Sequence, residues 1–272
     1  MTKKFVGDWH SCRLLEMPSI AIDGVIKSMK TIVVGDVHGC IDECRELVSK
    51  TYKRGDRLVF LGDLIDKGPD PAGVVRYVRG LGAECILGNH EEKVLRWFRH
   101  EDRKKRDTSY VNPIKVTPEH AEEWRQLSSD DVAWLRRLPT MLRLSNGFVA
   151  VHGGFLPGIP LEGQPNDKIV RLRWVDAAGE YVPLQDGSLE MPDFACPWMD
   201  VWDGDEHVVY GHAVHGLGAP RIDKTDKDRL VVGIDTGCVY GGNLTAMILN
   251  EEGTGFFAVK AKKAYCKRPI NG

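Results

Sequence analysis

Short apolar runs separated by polar loops set the rhythm of the chain. Ile32-Val33-Val34, Leu58-Val59-Phe60-Leu61 and Cys85-Ile86-Leu87 have strand length, and Phe148-Val149-Ala150-Val151 and Val208-Val209-Tyr210 repeat the pattern downstream. Unbroken rather than alternating apolarity predicts buried strands. Between them the period lengthens. Ile41, Cys44, Leu47 and Val48 share one helical stripe, and Asp70 before Pro71 predicts a second helix with Asp70 as its cap. Two strand-helix units therefore form the front half of an α/β sandwich. Residues 91–138 read as helical, with Trp97, Trp124 and Trp134 as packing aromatics and Ser128, Ser129 or Asp130 capping the last stretch. Asn146-Gly147 predicts a hairpin between Met141-Leu142-Arg143-Leu144 and the strand at 148–151. Residues 155–205, rich in Pro, Gly and acidic positions, read as a long irregular segment that shapes a pocket. Leu230–Ile234, Leu244–Leu249 and Gly255–Val259 are expected to supply the second sheet, with Glu251, Glu252 and Gly253 as the last turn.

Each of five apolar runs leads into a short polar motif. These are Gly35-Asp36-Val37-His38-Gly39, Gly62-Asp63-Leu64-Ile65-Asp66, Gly88-Asn89-His90-Glu91, Val151-His152-Gly153-Gly154 and Tyr210-Gly211-His212. The motifs thus lie at the C-terminal ends of strands, the edge where sites assemble in open α/β sheets. Together they offer Asp, His, Asp, Asn, His and His, an oxygen and imidazole set that suits two divalent ions and leaves thiols out. Such a pair fits hydrolysis of a phosphate ester or anhydride, activating water and stabilising the charged transition state. Any single Gly-Asp-x-His is more readily a turn with a capping Asp than a site. Gly7-Asp8-Trp9-His10 shows this: no apolar strand precedes it and no glycine follows, so Asp8 and His10 are read as a decoy.

The ordered series resembles the calcineurin-like metallophosphoesterase superfamily. Gly62-Asp63-Leu64-Ile65-Asp66-Lys67-Gly68-Pro69-Asp70 narrows the resemblance to the branch of phosphoprotein phosphatases and symmetrical diadenosine tetraphosphatases, and 234–246 is similar to the C-terminal signature of its ApaH-like side. The resemblance spans 32–246. It implies an α/β fold of two mixed β-sheets packed as a sandwich flanked by helices. It also implies a first metal held by Asp36, His38 and Asp63, and a second held by Asp63, Asn89, His152 and His212, with Asp63 bridging. His90 would donate a proton to the leaving group, oriented by Asp66. An imidazole supported by a carboxylate suits that task near neutral pH. Manganese is the first expectation for the two divalent ions, with iron, zinc or cobalt as other occupants.

Departures from the family pattern bear on substrate. Protein phosphatases of this branch carry Arg at the positions of Lys67 and Leu87, and both arginines grip the phosphate. An ammonium is a point charge rather than a planar fork, so Lys67 is not an equivalent replacement. The expected reaction is cleavage of a nucleotide polyphosphate, diadenosine tetraphosphate to two ADP foremost. A protein serine/threonine phosphatase, a polyphosphatase, an mRNA-cap pyrophosphohydrolase and a metal-free binding protein are the alternatives. Arg171 and Arg173 in Ile169-Val170-Arg171-Leu172-Arg173-Trp174 share one face if the segment is extended, and would bind a polyphosphate as readily as they would edge a solvated strand. Tyr240 resembles a position from which the branch points a residue at the site. His215, three residues after His212, is placed near the pocket mouth rather than among the ligands.

Composition narrows the setting. The 272 residues suit one metallophosphoesterase domain over 31–272 behind a lead-in at 1–30. With 37 basic and 39 acidic residues the formal net charge is −2, which leaves no footprint for general nucleic-acid binding. Arg96, Arg99, Arg103, Lys104, Lys105 and Arg106 are a local exception, either a solvated helix end or a rim that attracts anions. Seven cysteines form no CxxC pair, so a reducing compartment and no disulfide framework are expected. Cys40 and Cys44, four apart, lack the second pair a zinc site would need. With no apolar run long enough to span a bilayer, the expectation is a soluble, intracellular, cytoplasmic protein without membrane or protein partners.

Overall fold

In the computed structural model, which describes residues 29–185 and 188–268, strand β1 (Thr31–Val34) lies at the centre of a five-stranded sheet. The lead-in as far as residue 28, with Asp8 and His10, lies outside the described residues. Ile32 and Val34 pack with helices α1 (Ile41–Thr51) and α2 (Pro71–Gly80), whereas Val33 faces a second sheet. Both faces of β1 are covered, which accounts for its unbroken apolar run. β2 (Arg57–Phe60) runs parallel to β1, and β3 (Glu84–Cys85) parallel to β2. The third apolar run is a strand for only two residues, because the Leu87 N–H turns to the Pro139 carbonyl. Asp70 caps α2 by accepting from the Gly73 N–H at 2.8 Å.

The helical stretch divides into α3 (Asn89–Arg106), α4 (Pro118–Arg125) and α5 (Ser129–Leu135). Residues 107–117 break it: Asp107 closes a local turn through Ser109, and Pro113 cannot donate within a helix. Ser128 caps α5 in a reciprocal bond with Asp131. Trp97 and Trp124 are buried in the core under the first sheet, and Trp134 packs against it.

The second sheet contains β4 (Met141–Arg143), β5 (Phe148–Val151), β9 (His207–Tyr210), β10 (Arg221–Lys224) and β11 (Leu230–Gly233), in the order β10-β11-β9-β5-β4. Asn146 and Gly147, with φ of 56° and 71°, form the predicted turn between β4 and β5. Val33, Leu61, Phe148, Ala150, Val209, Val232 and Met247 make the dry layer between the two sheets.

Two expectations need correction. β12 (Asn243–Asn250) and β13 (Gly253–Lys260) belong to the first sheet, in the order β13-β12-β1-β2-β3. β12 pairs antiparallel with β1 over the whole length of β1, Thr31 opposite Leu249 and Val34 opposite Ala246. The chain therefore returns at its end to the strand with which the described fold begins. The 155–205 segment is also less irregular than its composition suggests. It carries α6 (Asn166–Ile169) and a small sheet of β6 (Trp174–Asp176), β7 (Tyr181–Val182) and β8 (Ala195–Pro197). Phe155, Trp198 and Trp202 seal it onto the outer face of the second sheet. No helix among the described residues is long and apolar enough to cross a membrane.

Candidate metal centre and proton-donor site

The loops after β1, β2, β3, β5 and β9 converge where the parallel strands of the two sheets end. Five of the seven non-glycine residues with positive φ, among the described residues, sit in these loops: His38 (45°), Asp63 (48°), Asp66 (68°), Lys67 (68°) and His212 (65°). Left-handed backbone is costly for such residues and gathers where a site over-determines the chain. Packing enforces the same geometry. A Cβ on Gly62 would lie 2.6 Å from the Gly88 nitrogen, and one on Gly211 would lie 2.1 Å from Asp36 Oδ1. Only glycine lets the second and third motifs, or the fifth and first, approach this closely.

Asp63 occupies the middle of the cluster. His38, Asp63 and His90 place candidate ligand atoms within 4.8 Å of one another, and so do Asp63, His152 and His212. His38 Nε2 is 3.4 Å from one Asp63 oxygen and His152 Nε2 is 3.2 Å from the other. Asp36 lies 4.0 Å from His38 Nε2 and accepts the His212 backbone N–H at 3.0 Å. Asn89 Oδ1 is 3.0 Å from His152 Nε2. Thus the structure brings together Asp36, His38, Asp63, Asn89, His152 and His212.

The donor chemistry fits divalent cations. His38 Nδ1 is 2.9 Å from the Ile65 carbonyl and His152 Nδ1 is 2.7 Å from the Leu61 carbonyl. Donating Nδ1–H outward leaves each Nε2 lone pair directed inward, the tautomer a metal requires. Burial and neighbouring Lys67 push the His38 pKa down; burial and Arg173 do the same to His212. Both rings are therefore neutral donors. Burial raises the Asp36 pKa, and the adjacent charges of Asp235 and Asp63 add to it. Burial also opposes a charged His152, but Asp63 and Asp36 override it and carry its pKa up to about 9. Crowded buried carboxylates that draw positive charge to this degree suit an ion of charge two.

His90 stands beside this cluster. Its Nδ1 is 2.5 Å from Asp66 Oδ2 and its Nε2 is 3.8 Å from Asp63 Oδ2. The other Asp66 oxygen receives the Trp124 indole N–H at 2.6 Å and His120 Nε2 at 2.9 Å. Burial would raise the Asp66 pKa, yet the bonds from His120 and His90, the His90 charge and the Trp124 indole bring it well below the usual carboxylate value. Asp66 is thus an ionised anchor with both oxygens occupied.

Several supporting residues escape a reading of the sequence. Glu91, fully buried in the first turn of α3, does more than start a helix: its carboxylate accepts the backbone N–H groups of Gly88, Asp63, Leu64 and Ile65. It ties the second motif to the third. Burial and nearby Asp63 push its pKa up to about 7. Asp235 adds a buried carboxylate beside Asp36 and accepts the Gly237 N–H. Its place in the 234–246 signature was the available signal. His120 and Trp124 gave none, since their tie to Asp66 spans more than fifty residues of chain.

The residues expected to hold substrate are placed unevenly. Lys67 Nζ lies 2.8 Å from His38 Nε2 and 5.4 Å from the centre of the Tyr240 ring. Arg171 and Arg173 are not alternate positions of one extended strand, because Ile169 ends α6 and Arg171 follows in a turn. Arg171 Nη2 bonds Glu92 at 2.5 Å, and Arg173 Nη2 donates to the His212 carbonyl at 2.8 Å. The Nε–H groups of both are buried and find no acceptor. His215 turns away, to the Tyr210 hydroxyl at 3.0 Å and Arg221 at 3.4 Å. Cys40 and Cys44 are buried, and Cys40 lies beside Cys238 and Glu43 rather than forming a site with Cys44.

Known proteins resemble this chain in sequence and in fold. The symmetrical bis(5'-nucleosyl)-tetraphosphatase of Serratia proteamaculans (strain 568) is 27% identical over 277 residues, covering 80% of this chain and 90% of the relative. An asymmetrical bis(5'-nucleosyl)-tetraphosphatase from Geobacillus sp. (strain WCH70) is 31% identical over 243 residues, covering 80% and 89%. Among solved structures, one described as a candidate diadenosine tetraphosphatase superposes with a TM-score of 0.66 at 27% identity, covering 87% of this chain and 95% of that one. A metallophosphoesterase from Sphaerobacter thermophilus shares the fold, with a TM-score of 0.52 at 17% identity over 86% and 89% of the two chains. The profile of the calcineurin-like phosphoesterase family matches residues 29–251, and the chain belongs to that family.

Proposed function

We propose that this phosphoesterase hydrolyses nucleotide polyphosphates, with diadenosine tetraphosphate cut to two ADP as its reaction. The observation that carries the reading is the shared Asp63 carboxylate, which has His38 and His90 on one side and His152 and His212 on the other. In this assignment Asp36, His38 and Asp63 hold one divalent ion, and Asp63, Asn89, His152 and His212 hold the second. When bound, the pair activates water and offsets the charge that gathers at phosphorus. Manganese is the proposed occupant, in keeping with oxygen and imidazole donors without thiol, a set that also admits iron or zinc.

The chain's own groups supply the rest. Asp66 fixes the His90 ring through Nδ1, which leaves Nε2 as the position that gives a proton to the departing ADP oxygen. His120 and Trp124 hold Asp66 in place for that purpose. Arg173, its Nε–H without an acceptor, and Lys67 offer positive charge to the phosphates, with Tyr240 flanking Lys67. Leu87 provides no cation before Asn89, which weighs against phosphoserine substrates. The six described cysteines are free thiols, in keeping with a cytoplasmic setting.

The name of the Geobacillus relative favours a second reading, asymmetrical cleavage of the same substrate. Chromatography of products from diadenosine tetraphosphate and the Mn²⁺-loaded protein separates the two. ADP alone supports symmetrical attack; ATP with AMP moves the attack to the outer linkage. No cleavage by protein that still hydrolyses p-nitrophenyl phosphate would refute the dinucleotide reading.

A further inference from the structure

We infer that the hollow beside α3 is a second anion site, which receives phosphate groups of a linear polyphosphate beyond the one at the metal centre. The inference rests on the metal assignment above, because that fixes Asn89 at one end of the path. Asn89, Glu92, Arg96 and Arg99 follow at i, i+3, i+7 and i+10, so they form one stripe along α3. The stripe starts at the candidate ligand Asn89 and ends in a hollow of about 340 Å³ lined by Glu92, Leu95, Arg96, Arg99 and Arg136.

Charge in this hollow is unbalanced. Glu92 is its one carboxylate, and both oxygens are already engaged: Oε2 with Arg171 Nη2 at 2.5 Å and Oε1 with Arg96 Nε at 2.7 Å. The Arg96 contact is close but poorly aimed, so its buried Nε–H lacks a hydrogen-bond acceptor, as does that of Arg171. Among the described residues the Arg136 side chain has only Asp102, at 3.8 Å, and Lys105 holds Asp102 more closely at 2.9 Å. The Arg99 side chain makes no hydrogen bond or ion pair among the described residues. A guanidinium offers a planar fork that matches phosphate oxygens, and three of them around one hollow call for more negative charge than Glu92 supplies.

Length decides which anion. At 1.5 Å per helical residue, Arg96 stands about 10 Å and Arg99 about 15 Å along the axis from Asn89. A single phosphate bound at Asn89 does not reach them. A chain of several linked phosphates does once the arginine side chains, which lean toward the helix N-terminus, reach back to meet it, whether it belongs to a dinucleotide or to inorganic polyphosphate. Arg171, bonded to Glu92 at the first turn of α3, lies between the two stations.

The test uses the Mn²⁺-loaded full chain and the double variant Arg99→Ala/Arg136→Ala, neither residue belonging to the metal or proton-donor machinery. Hydrolysis of p-nitrophenyl phosphate should keep its kcat/KM within twofold, which also reports folding and metal loading. For diadenosine tetraphosphate the KM should rise about tenfold with little change in kcat, the scale expected for losing charge-assisted contacts at a solvent-open site. Inorganic tripolyphosphate, added with excess Mn²⁺ as an inhibitor of p-nitrophenyl phosphate hydrolysis, reads the site without a nucleotide. A parallel weakening of its inhibition assigns the site to the phosphate chain itself, and a loss confined to the dinucleotide assigns it to nucleotide-borne phosphates. Unchanged values for both ligands, or an equal loss on p-nitrophenyl phosphate, would overturn the inference. Should the wild type leave diadenosine tetraphosphate intact, the dinucleotide reading fails while the tripolyphosphate measurement still decides this one.

Discussion

Two flanks of the metal cluster treat their polar groups in opposite ways. On the Asp66 flank both oxygens of that carboxylate are occupied: one by His90, the other by His120 and Trp124. On the arginine flank, Arg96, Arg171 and Arg173 each bury an Nε–H with no acceptor. Buried polar groups without partners are costly and uncommon, whereas a satisfied network is rigid. The Asp66 carboxylate is satisfied within the protein, which suits the proposed role of His90 as a proton donor held in one position. The second is incomplete, and phosphate oxygens are the acceptors that would complete it. On the proposed reading, orientation is built into one side, while binding is left for the substrate to finish on the other.

The largest perturbation strikes the residue the two flanks share. Asp63→Asn should reduce turnover below detection and remove most bound metal, read by elemental analysis alongside the rate; wild-type turnover would sink the shared-carboxylate assignment. Next comes the completed flank. His90→Gln should lower kcat on diadenosine tetraphosphate by about 10²-fold or more, the usual contribution of a positioned acid. The loss should be much smaller on p-nitrophenyl phosphate, whose leaving group departs without a proton, and equal losses on both would remove the proton-donor role. A smaller effect tests the unfinished flank. Arg173→Ala should raise KM for the dinucleotide by roughly tenfold or more, as expected for a charge-assisted contact, with a lesser effect on kcat. A drop in kcat at constant KM would instead place Arg173 in the chemical step.

The smallest effect concerns pH. Hydrogen bonding to Asp66 raises the His120 pKa above its unfolded value, against partial burial. The stability gained from the charged pair is therefore complete below about pH 6.5, the unfolded value, and disappears as pH climbs through the raised folded value. His120→Gln keeps a donor but not the charge. Urea unfolding should show a larger deficit relative to wild type at pH 6 than at pH 9; an equal deficit at both would mean that His120 is neutral where it sits.

Residues close in sequence carried most of what could be read beforehand. Ile32 to Val34, the Asp70 cap with Pro71, the Asn146-Gly147 turn and the motif loops all depend on neighbours within a few positions, and the structure places them accordingly. β12 and β13 were assigned to the wrong sheet because either sheet could have accepted an apolar strand, and the choice was made by pairing with β1 two hundred residues away. Arg171 and Arg173 look alternate on paper, but α6 takes up the residues before them and turns the pair apart. Glu91, Asp235, His120 and Trp124 escaped for one reason: what makes each of them matter is a partner on another element. Local chemistry announces a ligand, but it does not announce what holds the ligand still.

The placement of β12 has a consequence for the timing of synthesis. β1, which leads into Asp36 and His38, needs β12 as its antiparallel neighbour, and the Gly35 N–H bonds the Thr245 carbonyl. A nascent chain carries the first motif long before it carries that neighbour. Contacts of such sequence separation form slowly and late. Ribosome-bound chains stopped before residue 243 should therefore expose β1 to proteolysis, and the earliest motif to leave the ribosome should be among the last to acquire its metal.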